Sequence, residues 1–489
     1  MRRSFFFLLL AVMVVSMVAS ADEPVSSATP DLRIEDAVAA WAVWVENDLG
    51  VTGVPAASYA FVHKDRVLAS GGIGLADPTI GKRADAETLY SICSISKLFT
   101  SIAVMQLRDG GEVRLDDDLG TYVPWFATMT DAHPEDEPVS IRNLLSHSAG
   151  LPRESDSPYW AGPDFDFPTT TQIQERLPSQ QSLYPSGRYF QYSNLGMALL
   201  GEVVAAGAGR PWADVVEDDI LAPLQMTSTF TSVPEAFETG RLAAGYAARR
   251  GSPEREKLKL FDVEGIGPAA GMASSASDLA KFALWQLRLR ADGGDEVLRA
   301  ATLREMQRVH WVDLDWETTW GLGFNVANRD GTTWVRHAGH CPGYYTEFGI
   351  LPKEELGIAV LTNAIGSNVS LYSKKAAAVL GPAVKKNSMC AADLPVRNPD
   401  FEKFVGVYDS VWGRLAIVFW ADGLAAVDLD SSAVDLDDWV SPLRHIEGNV
   451  FRRVRSDDES LAEEWVFAFD ADGQVVSVTS HSNPSVRVR

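Results

Sequence analysis

The sequence predicts a mixed α/β (α+β) protein followed by a small all-β domain. Three patterns carry that expectation. Helical apolar spacing recurs in segments that end at glycines. Runs of β-type residues joined by tight turns alternate with those segments. Past a polar, proline-containing stretch near residue 390, helical patterns stop and only short β-type runs remain.

The chain has 489 residues, enough for one large domain and a smaller one. Apolar residues make up 46%, sufficient for a sizeable core. Acidic residues outnumber basic ones 66 to 43, for a net charge of -23. That field repels nucleic acid and anionic lipid, so neither is expected as a partner. The three cysteines, Cys93, Cys341 and Cys390, are too few and odd in number for a disulfide scaffold, though one pair fits.

The elements follow in chain order. Residues 1–21 read as a secretory signal peptide: Arg2 and Arg3, an apolar run from Phe5 to Val18, then Ala19-Ser20-Ala21 before Asp22. The mature chain is therefore expected to be exported, periplasmic or secreted, with no membrane span, since no later run is long and apolar enough. "LRIEDAVAAWAVWVENDLG" has the spacing of a helix. "AASYAFVHKDRVLASGGIGLAD" reads as two strands around a turn at His63 to Asp65. A helix follows Ser94 and ends at Gly110-Gly111. Residues 110–270 are loop-rich with short helices, and "SSASDLAKFALWQL" is a capped amphipathic helix. "YYTEFGILPKEELGIAVLTN" predicts strand 344–351, a turn, and strand 356–362, and "SLYSKKAAAVLGPAV" closes the domain as a helix. The later β-type runs predict a small barrel or sandwich.

Three short segments carry chemistry. In "LYSICSISKLF", Ser94 and Lys97 stand three residues apart, on one face of a helix start. A serine hydroxyl needs a neighbouring base to become a nucleophile, and a lysine with a lowered pKa can be that base. Of the twelve lysines only Lys97 has a serine at that spacing, which leaves Ser91 and Ser96 unpaired. In "FQYSNLGM", Tyr192 and Asn194 are two apart, so in an extended stretch both face one cleft. Taken alone, they fit a packed tyrosine and a helix cap better than a catalytic pair. In "VRHAGHCPGYY", His337-Ala338-Gly339 begins a run that reads as an edge strand, whose glycine admits a substrate backbone and whose N–H groups can serve an oxyanion. His337 and His340 form an H-x-x-H, but on a strand they face opposite ways, so no metal is expected. There is also no G-x-S-x-G elbow. His147, in "LLSHSAGLP", reads as a structural histidine serving loop carbonyls.

In this order S-x-x-K, Y-x-N and H-x-G resemble the motifs of the serine β-lactamase and penicillin-binding-protein superfamily, above all its class C-type branch of family VIII esterases and D-aminopeptidases. "SIRNLLSHSAGLP" and "PAAGMASSASDLAKF" resemble its flanking text. The resemblance covers about residues 30 to 380. It implies an antiparallel sheet flanked by helices, with a mostly helical subdomain inserted between the first two motifs and beyond. Residues 381–395 would be a linker. Residues 396–489 resemble an appended lipocalin-like β domain, opening at "FEKFVGVYDS".

By the same resemblance Ser94 forms an acyl-enzyme, Lys97 and Tyr192 exchange the protons, and the backbone N–H groups of Ser94 and His340 bind the oxyanion. Asn194, His337 and Gly339 contact substrate, and no cofactor is implied. The substrate is then a small ester, amide or peptide. A lysine in place of His337 would supply a fixed cation for a carboxylate. Histidine there is only partly charged near pH 7, which favours an esterase or D-amino-acid peptidase over a β-lactamase or D,D-carboxypeptidase. A binding or sensor protein that acylates without turnover is the alternative of another class. Cys93 and Cys341 would both lie near the cleft, either bridged or as buried free thiols.

Overall fold

In the computed structural model, residues 32–156, 159–252, 254–329, 331–385 and 397–489 are described. The expected signal peptide, Cys390 and residues 386–395 of the expected linker lie outside them. Residues 381–385 do not form linker: they complete the helix Val369–Lys385.

The strands of the large domain are β1 (Ala56–His63), β2 (Arg66–Asp77), β3 (Lys82–Arg83), β4 (Leu89–Ser91), β5 (Ala273–Ser275), β6 (Trp311–Val312), β7 (Thr319–Trp320), β8 (Asn325–Arg329), β9 (Thr332–Cys341), β10 (Tyr344–Leu351) and β11 (Leu356–Thr362). Nine of them form one antiparallel sheet in the order β3-β2-β1-β11-β10-β9-β8-β7-β6. The two hairpins fall where the sequence places them, with Lys64 and Glu355 taking positive φ in the turns. β4 and β5 pair separately. Ser274 and Ser275 are therefore strand residues, and Ser275 caps the helix Ala276–Asp292 by accepting from Asp278 N–H.

Both faces of the sheet are covered. Helix α1 (Leu32–Thr52) and the helix Val369–Lys385 bury Trp41 and Tyr372 against Phe61, Ile358 and Val360 on one face. On the other, the helix Ala276–Asp292 brings Phe282 onto Phe348 at 5.1 Å between ring centroids. Helix α2 (Ser96–Gly110) lies deeper still. Each residue from Ser96 to Met105 is buried, as expected of a helix surrounded by protein. It ends where Gly111, at φ 91, donates to the carbonyls of Leu107 and Arg108. Burying an aromatic or aliphatic side chain of this kind contributes about 1.5–3 kcal/mol.

The C-terminal β domain is a closed antiparallel barrel of β12 (Gly406–Ser410), β13 (Gly413–Trp420), β14 (Gly423–Asp428), β15 (Val440–Glu447), β16 (Val450–Val454), β17 (Leu461–Phe469), β18 (Val475–Ser480) and β19 (Asn483–Arg487), joined in sequence and sealed by β12 against β19. Closure leaves no free edge. The barrel rests on α1. Trp44 Nε1 donates to Ser431 O and Asn47 Nδ2 to Leu429 O, both at 3.0 Å. Val418, Ala425 and Val427 join the same apolar cluster as Trp41 and Trp44.

Candidate active site

The chain from β4 into α2 sets up one serine. Cys93 takes φ 50, and a single 3₁₀ turn, Cys93–Ile95, precedes the helix. Ser96 fastens the turn: its Oγ donates to Cys93 O at 2.6 Å and accepts from Met272 N–H at 3.0 Å. From Thr88 to Met105 every residue is buried except Ser94. The hydroxyl that the spacing singles out is thus the one this segment opens to the cleft.

Lys97 is fully buried one turn on. Its Nζ lies 3.1 Å from Ser94 Oγ, 2.8 Å from Asn194 Oδ1 and 2.8 Å from Ala269 O. Burial drives its pKa well below the ordinary lysine value, Glu154 pulls it up and Arg153 pushes it further down. The amide and backbone oxygens can only accept. In a neutral amine they hold the two N–H groups, and the lone pair is left for the Ser94 hydroxyl.

Tyr192 lies beside this pair, its ring centroid 4.8 Å from Lys97 Nζ. Burial raises its pKa, while hydrogen bonding with Ser94 and the Arg153 charge work the other way. The resting group is a phenol. Asn194 does not share an extended stretch with it. It is the first residue of the helix Asn194–Ala208, and Ser193 is the cap that accepts from Gly196 N–H. The side chain still reaches the site, with Oδ1 on Lys97 and Nδ2 donating to Glu154 Oε1 at 2.7 Å.

The third motif lies on β9. β8 pairs with Thr332 to Arg336, and β10 runs along the rest, so His337–Cys341 has one free edge. At Gly339 the side-chain position is filled: a Cβ there would stand 2.2 Å from Ile92 O and 2.3 Å from Thr346 Oγ1, so the glycine packs β9 onto the Ser94 turn. His337 is buried and His340 is exposed, as their alternation requires. Burial, then the charge of Lys97, bring the His337 pKa to about 3, so it is neutral at pH 7 rather than partly charged. Its Nδ1 donates to Ala338 O at 2.7 Å, which leaves Nε2 as a lone-pair acceptor with no partner. Cys93 and Cys341 form a disulfide, with Cα atoms 5.8 Å apart. Among the described residues no cluster of three or more His, Cys, Asp or Glu is arranged to hold a metal.

Sequence reasoning missed four members of this site. Glu154 bridges Asn194 and Tyr159, whose hydroxyl donates to Glu154 Oε2. Arg153 sits 5.0 Å from the Tyr192 ring centroid and is paired with Glu154 at 3.2 Å. Trp320 walls the Tyr192 and His337 rings at 6.0 and 5.6 Å. Ala269 contributes only its carbonyl, which has no side-chain signal. His147 does not serve carbonyls as read. Its Nδ1 accepts from Ser193 N–H at 3.3 Å and its ring lies 4.3 Å from that of Tyr192, so it positions the second motif.

Fold and site together define a β-lactamase/transpeptidase-like protein. The β-lactamase family model matches residues 42–381, and the chain belongs to that family. Penicillin-binding protein 4 of Amycolatopsis lactamdurans is 28% identical over 375 residues, 74% of this chain and 94% of that one. Beta-lactamase-like protein 2 of Dictyostelium discoideum is 27% identical over 346 residues, 68% of this chain and 60% of its own length. Among solved structures, the octameric penicillin-binding protein homologue of Pyrococcus abyssi superposes with TM-score 0.63 at 21% identity, over 92% of this chain and 100% of its own. The D-amino acid amidase of Ochrobactrum anthropi gives 0.60 at 22%, over 72% and 100%.

Proposed function

We propose that the protein is an exported serine hydrolase that cleaves a small ester or amide, of esterase or D-amino-acid peptidase type, through an acyl-enzyme on Ser94. The observation that carries this reading is the hydrogen bond between Ser94 Oγ and a buried Lys97 amine whose remaining contacts are carbonyl acceptors. Lys97 takes the hydroxyl proton as Ser94 attacks the carbonyl carbon. The backbone N–H groups of Ser94 and His340 receive the oxyanion. Tyr192, a neutral phenol, passes a proton to the leaving group as the tetrahedral intermediate collapses, and Lys97 resupplies it. Water then attacks the ester by the reverse proton path. Asn194, His337 and Gly339 shape the substrate side.

A neutral His337 offers no fixed cation for a substrate carboxylate, and Arg153 is paired with Glu154. Both favour ester or amide substrates over β-lactams. Export is supported by the N-terminal sequence and by the Cys93–Cys341 disulfide, since such bonds persist in oxidising compartments. The test is turnover of p-nitrophenyl esters, D-amino-acid amides and nitrocefin by the wild type and Ser94→Ala. Loss of at least a thousandfold in Ser94→Ala on the best substrate is expected. Full activity in that variant would overturn the assignment.

A further inference from the structure

Asn194 stands between an amine and a carboxylate. Its Oδ1 accepts from Lys97 Nζ at 2.8 Å, and its Nδ2 donates to Glu154 Oε1 at 2.7 Å. The two ends of an amide are alike in shape but not in chemistry: the oxygen accepts and the nitrogen donates. Turned end for end, Asn194 would set its oxygen against a carboxylate oxygen with no proton between them. It would also aim an N–H at Lys97. A neutral amine has one lone pair, and that N–H would take the lone pair that the Ser94 hydroxyl needs. The carboxylate at position 154 therefore permits only one way round.

Glu154 is itself held. Oε2 accepts from the Tyr159 hydroxyl, and Oε1 also lies 3.2 Å from Arg153 Nε. Tyr159 is buried, with its ring 5.0 Å from that of Phe167 and 5.8 Å from that of Trp160, and Ser155 N–H donates to its hydroxyl oxygen at 3.3 Å. The backbone beside Glu154 is tied to the same helix end as the amide. Arg153 O accepts from Asn194 N–H at 2.7 Å and from Leu195 N–H at 3.2 Å, and Pro152 O accepts from Ser193 Oγ at 2.6 Å. Only 21% of the Glu154 side chain is exposed. A hydrogen bond to a shielded, charged acceptor is among the stronger ones.

We propose that Glu154 is a positioning residue for the reaction at Ser94. Seated on Tyr159, it admits a single orientation of the Asn194 amide and so keeps the Lys97 lone pair directed at the Ser94 hydroxyl. The proposal rests on the acyl-enzyme reading, in which Lys97 is the base. It is separate from the effect of the Glu154 charge on Lys97. The charge sets the pH at which the amine is neutral, whereas the orientation sets how much of the neutral amine is productive.

Steady-state kinetics of the full chain test it, on the best ester or amide substrate and at a pH above the acid limb. Glu154→Met removes the acceptor and is expected to lower kcat by roughly ten- to a hundredfold with little change in KM. Glu154→Gln is expected to lose less, roughly three- to tenfold, because a glutamine amide can match Asn194 either way round. It is close to isosteric and serves where Glu154→Met does not fold, with melting temperature as the check. In an Asn194→Ala background neither substitution is expected to change kcat by more than about twofold, since there is no amide left to orient. Unchanged kcat in Glu154→Met overturns the proposal. So does a loss of the same size in the Asn194→Ala background, which would show Glu154 acting by another route. Ser94→Ala in the same assay keeps the two questions apart: if it abolishes turnover while the Glu154 result fails, only the positioning role falls.

Discussion

Cys93 and Cys341 are bonded to each other, and each adjoins one of the two proposed oxyanion donors. Ser94 follows Cys93, and His340 precedes Cys341. Gly339 packs on Ile92 O, and Thr346 Oγ1 donates to the same carbonyl at 3.3 Å. The bond therefore ties the Ser94 turn to β9 beside the two N–H groups proposed to converge on one oxygen.

The first prediction follows from that tie. Replacing both cysteines with alanine is expected to lower kcat by roughly tenfold with a smaller change in KM, because oxyanion donors act mainly in the transition state. The cross-link closes a loop of 248 residues, so its removal is also expected to cost about 2–5 kcal/mol of stability. Activity is measured well below the melting temperature, and dithiothreitol on the wild type should reproduce the effect. Unchanged kcat would mean that Gly339 and Thr346 hold the donors alone.

The second concerns pH. Lys97 must be neutral to accept the serine proton, and its pKa is held well below the ordinary value. The acid limb of kcat/KM should therefore lie far below the range of a normal lysine. Glu154 stabilises the charged amine, so removing its charge lowers the Lys97 pKa further. Glu154→Gln is expected to move that limb to lower pH, whereas Lys97→Met loses about 10²- to 10⁴-fold. A limb that moved upward in Glu154→Gln would contradict Lys97 as the base.

The third concerns His337. With its pKa brought to about 3, it does not titrate between pH 5 and 8. His337→Gln keeps an acceptor near the same place and is expected to leave the shape of the pH profile in that range unchanged, even if the rate falls. Disappearance of an inflection near pH 6.5 would show that the imidazole is charged in the working enzyme.

The legibility of this protein followed the range of its interactions. The hairpins 56–77 and 344–362 and helix α2 are set by local periodicity and turns, and they appear as the sequence predicts. Ser94 and Lys97 share one helical turn, so their contact was also readable. Tyr192, Asn194 and His337 entered by resemblance to known motifs, because nothing local joins them to Ser94. The errors arose where burial sets the chemistry. A lone sequence gave no sign that His337 would be desolvated beside Lys97, or that Gly339 would meet Ile92 O. Glu154 and Arg153 look like ordinary surface charges after "AGLP". Their roles depend on a loop that folds back over Asn194, which periodicity does not encode.

The last prediction concerns the junction between barrel and sheet. Lys375 has no exposed surface and its Nζ has no hydrogen-bond partner. It lies 4.4 Å from the Trp44 ring centroid and 3.8 Å from that of Trp439, a cage made by α1 and the barrel. Burial lowers its pKa to about 7, with Asp428 and Asp48 opposing. The unfolded chain holds the proton up to the ordinary lysine pKa of about 10.4. Between pH 7 and that value the unfolded state binds more protons, so stability rises with pH across this window. Below pH 7 the amine is charged in both states and its burial cost is felt in full, offset by the two rings. Lys375→Met fills the same space without the charge. It is expected to stabilise the protein by roughly 1 kcal/mol or more at pH 6 and to give little gain at pH 10. Thermal unfolding of both proteins at the two pH values measures this. Destabilisation by Lys375→Met at pH 6 would show that attraction to Trp44 and Trp439 outweighs the burial cost, making the charged lysine part of what holds the barrel in place.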